Sequence, residues 1–156
     1  MTERHSANEK KYYVSRFQAD FLNLKGVIND ALAFYDSAYA YMDEASRLEL
    51  KVVLNELLIN AIKHGCGPET DCYVKVVAGM IEEDCALLIV EDDGAGYDTA
   101  RLCARRESDV YDGGFDDFEE TGRGINIVKN LCDDFMVNEK GNKVVLNKRL
   151  HRAVAV

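Results

Sequence analysis

The order of its hydrophobic patterns constrains the fold of this chain more than any other feature. Short runs rich in β-branched and aromatic residues are grouped in blocks with stretches of helical periodicity. The strand-like runs cover residues 12–17, 72–81, 85–91, 135–139 and 143–149, and the helical stretches cover residues 23–35, 43–64 and 124–132. Because helices and strands do not alternate strictly, this order predicts an α+β fold. We expect a two-layer sandwich, with the helices packed on one face of a mixed, largely antiparallel sheet.

Glycines mark the predicted ends of several elements. Gly65 follows the second helical stretch, as a glycine just past a helix terminus often does. A long charged stretch ends where Gly124 opens the third helix. Gly141 is the central residue of the segment between the last two strands, which predicts a hairpin turn there.

The chain has 156 residues, enough for one domain, and no repeat or low-complexity linker divides it. We expect a flexible N-terminus over residues 1–11, one domain over residues 12–150 and a tail over residues 151–156. Hydrophobic residues make up 47% of the chain, a globular composition that excludes a disordered protein. No apolar run has the length of a membrane span, and the N-terminus lacks the apolar core of a signal peptide. These absences predict a cytoplasmic protein without a membrane partner.

The acidity of the chain is concentrated in one segment. The net charge is −9, which argues against direct binding of nucleic acid because phosphates require a basic face. Residues 91–120 contain eleven acidic residues and three arginines, a net charge of −8. This segment is either a solvated acidic loop or a docking surface for a basic partner.

Cysteine usage fits a reducing compartment. The five cysteines are odd in number and lack paired C-x-x-C spacing, which argues against a disulfide framework and a structural zinc site. We expect small buried side chains with free thiols, with a redox or catalytic thiol as the alternative. The residues are Cys66, Cys72, Cys85, Cys103 and Cys132.

The first of three polar clusters lies on the second helical stretch. Glu56, Asn60 and His64 are four residues apart, so they share a stripe beside the apolar face, and Lys63 is adjacent. A carboxylate can act as a general base, and an amide oxygen one turn further on is a hard ligand suited to Mg²⁺. The alternative is a solvated polar stripe.

The second cluster follows the apolar run of residues 86–90. Asp92 stands where a buried strand emerges, and a carboxylate there can accept a hydrogen bond from an exocyclic amine such as that of adenine. Gly94 and Gly96 allow close approach of the backbone to a ligand. A calcium EF-hand loop is excluded, because its twelfth position counted from Asp92 is Cys103 instead of Glu. An ordinary acidic turn remains the alternative.

The third cluster is Gly122, Arg123 and Gly124, immediately before the third predicted helix. N–H groups at a helix N-terminus bind phosphate oxygens, and Arg123 could add a charge-assisted contact. The pattern is weaker than G-x-G-x-x-G, because Ile127 occupies the third glycine position. The alternative is an ordinary junction between loop and helix.

Together the three clusters resemble the histidine-kinase-like ATPase superfamily, which includes gyrases and sensor histidine kinases. The segments that resemble its N box and two glycine boxes are Glu56-x-x-x-Asn60, Asp92-x-Gly94-x-Gly96 and Gly122-x-Gly124. The resemblance covers about residues 12–149. It implies a Bergerat-type ATP-binding fold, with a lid at about residues 97–121 between the glycine boxes.

Ala61 and His64 continue the first motif. With them, the motif most resembles that of the small bacterial anti-sigma factors with serine/threonine protein kinase activity. This branch implies that Asn60 binds Mg²⁺ bridging the phosphates of ATP. It also implies that Glu56 orients or deprotonates the attacking hydroxyl and that Asp92 binds the adenine amine. Gly94 and Gly96 would let the backbone approach the nucleotide, and the residues near the phosphates would be Lys63, His64, Gly122, Arg123 and Gly124.

The resemblance therefore implies an ATP-dependent protein serine/threonine kinase that binds a sigma factor and phosphorylates an antagonist protein. Two alternatives stay open: a partner-switching module that binds nucleotide without transferring phosphate, and a detached ATPase domain of a histidine-kinase system. The acidic segment opposes binding of anionic ATP unless Mg²⁺ and Arg123 offset its field. A homodimer is a further expectation, through the aromatic residues Tyr12, Tyr13, Phe17, Tyr35, Tyr39 and Tyr41.

Overall fold

The computed structural model describes residues 12–66, 71–94 and 117–154. Within these ranges the elements occur in the predicted order. The strands are β1 (Tyr12–Gln18), β2 (Tyr73–Met80), β3 (Cys85–Asp92), β4 (Asp134–Val137) and β5 (Lys143–Arg149), and the helices are α1 (Leu24–Ala38), α2 (Glu44–Asn60) and α3 (Asp117–Leu131).

The five strands form one sheet in the order β1-β2-β3-β5-β4, and each neighbouring pair in it is antiparallel. Alternate residues of the central strands face the helices and are almost fully buried, as Val76 and Leu88 are. They pack with Leu32 of α1 and with Leu54 and Leu58 of α2 in one hydrophobic core. The predicted α+β sandwich is confirmed, with a sheet that is antiparallel throughout its described part.

Helix α2 begins where the sequence predicts and ends differently. The Asp43 carboxylate accepts a hydrogen bond from the Ser46 N–H at 2.7 Å, which caps the first turn. After Asn60 the helix widens into a π-helical turn over Ala61–Cys66. The prediction that the helix ends at Gly65 is therefore wrong.

A disulfide bond joins Cys66 to Cys72, which corrects the expectation of free thiols at these two positions. The bond ties the π-helical turn to the residue before β2, so the helical segment ends at Cys66 instead of at Gly65. Both cysteines are buried. Cys85 and Cys132 are free, as expected, and Cys103 lies outside the described residues.

Helix α3 begins at Asp117, seven residues before the predicted start at Gly124. Gly122 and Gly124 therefore lie inside a helix instead of preceding one. The prediction failed because glycine was interpreted as a helix breaker, whereas a helix tolerates glycine at a cost of about 1 kcal/mol where close packing requires it.

The sheet face opposite the helices carries an apolar row that crosses all five strands. The register places Val14 beside Val77, Val77 beside Ile89, Ile89 beside Val145, and Val145 beside Met136. Val14 and Met136, at the two edges, are 57% and 65% exposed. No helix within the described ranges is long and apolar enough to cross a membrane.

Candidate nucleotide-binding site

A cleft opens between α2, α3 and the ends of β3 and β5. Its walls are largely apolar, and three polar side chains, Asn60, Asp92 and Asn142, project from different elements. An apolar slot with a few convergent polar groups is suited to a small planar ligand such as a purine base. The apolar lining residues are Leu57, Ala61, Val90, Ile125, Val137 and Val144.

Among the described residues, Asp92 is the one carboxylate that lines this cavity. It is the last residue of β3 and only 6% exposed. Burial raises the pKa of Asp92 to about 6, although the Gly94 N–H donates a hydrogen bond to its Oδ1 atom at 2.8 Å and opposes the shift, and nearby Asp93 raises it further. At neutral pH the carboxylate is therefore mainly ionised and can accept a hydrogen bond from an amine.

Asn142 holds the backbone of Asp92 from the turn between β4 and β5. Its carbonyl oxygen accepts a hydrogen bond from the Asp92 N–H at 2.9 Å, and its Nδ2 atom donates to the Asp92 carbonyl at 2.8 Å. Gly141 in the same turn has φ 77°, which confirms the predicted role of this glycine in a hairpin. Sequence analysis identified the turn but not the contribution of Asn142, because the two residues are 50 positions apart.

A second cavity, of about 610 Å³, adjoins the first. Asn60 lines both cavities, so they meet at this side chain. The second cavity is the more polar, with residues from α2, the π-helical turn and α3. Its lining residues are Glu56, Ile59, Asn60, Lys63, His64, Arg123, Gly124 and Ile127.

Glu56 and Gly124 bring α2 and α3 into close contact. A Cβ atom on Gly124 would lie 2.5 Å from Oε2 of Glu56 and 3.7 Å from Nδ2 of Asn60. A side chain at position 124 would therefore collide with the Glu56 carboxylate. Because residues 122–124 are in mid-helix, their N–H groups are not those of a helix N-terminus, and the predicted phosphate contact through such N–H groups is wrong for this structure.

His64 lies in the π-helical turn, beyond the last α-helical residue of α2. Burial and, to a lesser extent, the neighbouring Lys63 lower the pKa of His64 to about 4. The imidazole is therefore neutral at physiological pH and adds no positive charge to the second cavity. The cationic residues that line this cavity are Lys63 and Arg123.

Comparison with known proteins identifies the family of this chain. The family model for the histidine kinase-like ATPase domain matches residues 17–148. The chain belongs to this family. The match includes each residue of the three polar clusters.

Several proteins similar in sequence to this chain are anti-sigma F factors. That of Geobacillus sp. (strain WCH70) is 31% identical over 120 residues, which are 74% of this chain and 76% of the relative. That of Clostridium novyi (strain NT) is 27% identical over 121 residues, which are 76% and 80%. That of Priestia megaterium is 29% identical over 118 residues, which are 74% and 76%.

Asn60 carries the clearest sign that this ATPase domain accommodates a further polar group. Its Nδ2 atom is buried and has no hydrogen-bond partner among the described residues. A buried polar atom without a partner is costly, and an amide can turn by 180° to present its oxygen instead. Among the described residues no three His, Cys, Asp or Glu side chains cluster as a metal site. One amide oxygen fits a Mg²⁺ ion that arrives with nucleotide phosphates and keeps several waters.

The structure thus brings together seven residues that the sequence predicts for the site. Glu56, Asn60, Lys63, His64, Asp92, Arg123 and Gly124 line the two adjoining cavities, Gly94 is bonded to Asp92, and Gly122 lies one helical residue before Arg123. Gly96 and most of the proposed lid at about residues 97–121 lie outside the described residues, whereas residues 117–121 belong to α3.

Proposed function

We propose that this chain is an ATP-binding regulatory protein with serine/threonine protein kinase activity. It would act as an anti-sigma factor that phosphorylates an antagonist protein. One observation carries the proposal: Asn60 lines both cavities, and Glu56, one helical turn earlier on α2, lines the second cavity beside it. A nucleotide whose base lies beside Asp92 then has its phosphates directed toward Glu56, Lys63 and Arg123.

Asp92 recognises the base in this proposal. The adenine amine donates a hydrogen bond to the ionised Asp92 carboxylate, while the apolar walls formed by Leu57 and Val144 exclude water from the ring. Guanine presents a carbonyl oxygen at the same position, which the carboxylate repels. The site is therefore expected to prefer ATP over GTP.

Glu56 is the proposed catalytic residue. The hydroxyl of an acceptor serine or threonine donates its proton to the Glu56 carboxylate as its oxygen attacks the γ-phosphorus of ATP, and ADP leaves with the electrons of the broken bond. Lys63 and Arg123 balance the negative charge of the phosphates. Mg²⁺, held by the Asn60 amide oxygen, would supply further charge neutralisation when bound.

The proposed partners follow from the relatives, which are named anti-sigma F factors. We propose a sigma factor and an antagonist protein as partners, with the acidic segment of residues 91–120 as a docking surface for basic side chains. The proposed compartment is the cytoplasm.

A homodimer remains a proposal, but not all of the aromatic residues expected to form its surface are available for contact. Tyr35 and Phe17 are buried in the core and cannot form it, whereas Tyr12 and Tyr41 are 47% and 63% exposed. Tyr12 lies on the face of the apolar row that crosses the five strands. We therefore propose a dimer contact on this open face of the sheet.

The close packing of Gly124 on Glu56 supports one competing function. Gly124 packs against Oε2 of Glu56 and so limits the space in which an acceptor hydroxyl could reach this oxygen. This favours a partner-switching module that binds nucleotide without transferring phosphate.

Glu56→Gln separates the two functions. For a kinase, the variant should bind ATP with Mg²⁺ as the unaltered protein does, and should transfer phosphate roughly 10²–10⁴-fold more slowly. Glu83→Gln, which changes an exposed carboxylate between β2 and β3, is the matched control. Equal transfer rates for Glu56→Gln and the unaltered protein would exclude Glu56 as the base. A protein that binds ATP but transfers no phosphate to any co-purifying partner would establish the non-catalytic module.

A further inference from the structure

The turn between β4 and β5 contains a hydrogen-bond relay that ends on Asp92. Asn138 Nδ2 donates to Asn142 Oδ1 at 2.7 Å, and Asn142 Nδ2 donates to the Asp92 carbonyl at 2.8 Å. This relay fixes the orientation of the Asn142 amide, because its oxygen already accepts from Asn138 and its nitrogen must therefore face Asp92. Asn142 also lines the apolar cavity beside Asp92.

The Asn142 side chain is not needed to close the turn. Asn138 Oδ1 accepts hydrogen bonds from the N–H groups of Gly141, Asn142 and Lys143, and Gly141 supplies the positive φ. These contacts complete the turn with backbone atoms of residue 142 alone. The amide of Asn142 instead points out of the turn, toward the end of β3.

Asp92 depends on this contact because it is the last residue of its strand. The regular pairing of β3 with β5 ends at Glu91 and Lys143, so Asn142 supplies the next two bonds to the backbone of Asp92. On the other side, the Gly94 N–H holds the carboxylate itself. The backbone of Asp92 is thus held by its pairing with Val74 of β2 and by two bonds to Asn142, one of them from the Asn142 side chain, and the carboxylate is held by one bond from Gly94.

We propose that Asn142 is a positioning residue: it keeps the Asp92 carboxylate aligned with the amine-bearing edge of the base and thereby sets the preference for adenine over guanine. This inference rests on the nucleotide-binding function proposed above. A carboxylate distinguishes an amine from a carbonyl only when it lies in line with that edge of the ring. A displacement of about 1 Å can cost a well-aligned site as much as about 100-fold in efficiency.

The test uses two variants and a matched control in the full chain. Asn142→Ala removes the side-chain bond. Asn142→Asp keeps the shape and puts a carboxylate against the Asp92 carbonyl, near the charged groups that already face Asp92: Asp93, Glu91 and Lys140. Asn147→Ala is the control, because Asn147 lies on β5, the strand that follows this turn, and bonds Asp134 on the open face of the sheet. The dissociation constants of ATP and GTP are measured for each protein, and the Asp92 carboxyl is titrated by NMR without nucleotide.

Asn142→Ala should weaken ATP binding about tenfold and weaken GTP binding less, so that the ratio of the two affinities falls. Asn142→Asp should raise the pKa of Asp92 above its value in the unaltered protein, whereas Asn147→Ala should change neither measurement. An unchanged affinity ratio in Asn142→Ala, or an unchanged Asp92 titration in Asn142→Asp, would overturn the proposal. If the unaltered protein binds neither nucleotide, the proposed function fails; if it binds ATP and the affinity ratio is unchanged in Asn142→Ala, only this inference fails.

Discussion

Oε2 of Glu56 occupies the space that a Cβ atom on Gly124 would need, at a separation of 2.5 Å. The Glu56 carboxylate can therefore keep this position only because residue 124 has no side chain. This contact links the packing of the domain directly to the chemistry of the site.

Gly124→Ala should damage the site even though alanine is the better helix former. The added methyl group must displace the Glu56 carboxylate, the far end of a flexible side chain that can turn away, so we expect little change in the free energy of unfolding and a large loss of phosphotransfer. Urea denaturation and a phosphotransfer assay measure the two effects. Gly26→Ala in α1 is the control: no atom lies within 4 Å of its new Cβ, so this variant should gain about 0.5–1 kcal/mol. Phosphotransfer by Gly124→Ala as fast as that by Gly26→Ala would contradict the prediction.

Asp92→Asn should make the protein more stable at neutral pH while weakening ATP binding. The pKa of Asp92 is about 6 in the folded protein, against an ordinary value of 3.8. Between these pH values the folded state binds more protons than the unfolded state, so the contribution of Asp92 to stability falls as the pH rises from about 4 to about 6. The variant lacks this loss, and its advantage in melting temperature should therefore appear above about pH 6 and vanish near pH 4.

The control for this pH dependence is Asp93→Asn. Asp93 is half exposed and pairs with Arg16 on the surface at 3.3 Å. Its replacement should produce no stability gain that grows between pH 4 and pH 6. A gain of the same size at all pH values in Asp92→Asn would show that burial of its charge is not the cause.

Lys148→Met should destabilise the domain more than a matched surface change. The Lys148 ammonium is buried and donates hydrogen bonds to the Glu49 carboxylate and, at 2.7 Å, to the carbonyl of Leu131 at the end of α3. We expect a loss of roughly 1–3 kcal/mol in the free energy of unfolding, because the carbonyl and the carboxylate lose their donor. Lys143→Met breaks only an exposed pair with Glu91 at 3.7 Å and should cost less than about 1 kcal/mol. The free energy of unfolding is measured by urea denaturation. Similar losses in both variants would argue that the buried hydrogen bonds of Lys148 do not stabilise the domain.

Reduction of the Cys66–Cys72 bond should lower the melting temperature. Closure of a loop between residues six positions apart stabilises the folded state by up to about 2 kcal/mol in the chain-entropy model. Thermal unfolding with and without dithiothreitol measures the effect. The double variant Cys66→Ser, Cys72→Ser should not respond to the reductant, whereas Cys85→Ser should respond as the unaltered protein does. A response of the double variant would place the reducible bond elsewhere.

The sequence predicts local features well because they depend on local spacing. Glu56 and Asn60 fall one turn apart on α2 as their spacing requires, and Gly141 adopts the positive φ expected of a hairpin glycine. Features that depend on contacts distant in the chain escape such reasoning. Gly124 lies inside α3 against Glu56, a residue 68 positions earlier, and the support of Asp92 comes from a residue 50 positions away.

Because Lys148 holds the C-terminal end of α3, a rotation of the helix about this end displaces the residues nearer its N-terminus. The carbonyl of Leu131, the last residue of the helix, is fixed to Lys148, whereas Gly124 lies seven residues earlier, about 10 Å along the axis. A tilt of about 10° about the fixed end would therefore carry Gly124 about 2 Å relative to Glu56. A small rotation of α3 about the end held by the buried Lys148, which lines neither cavity, is thus enough to widen or narrow the space around the Glu56 carboxylate.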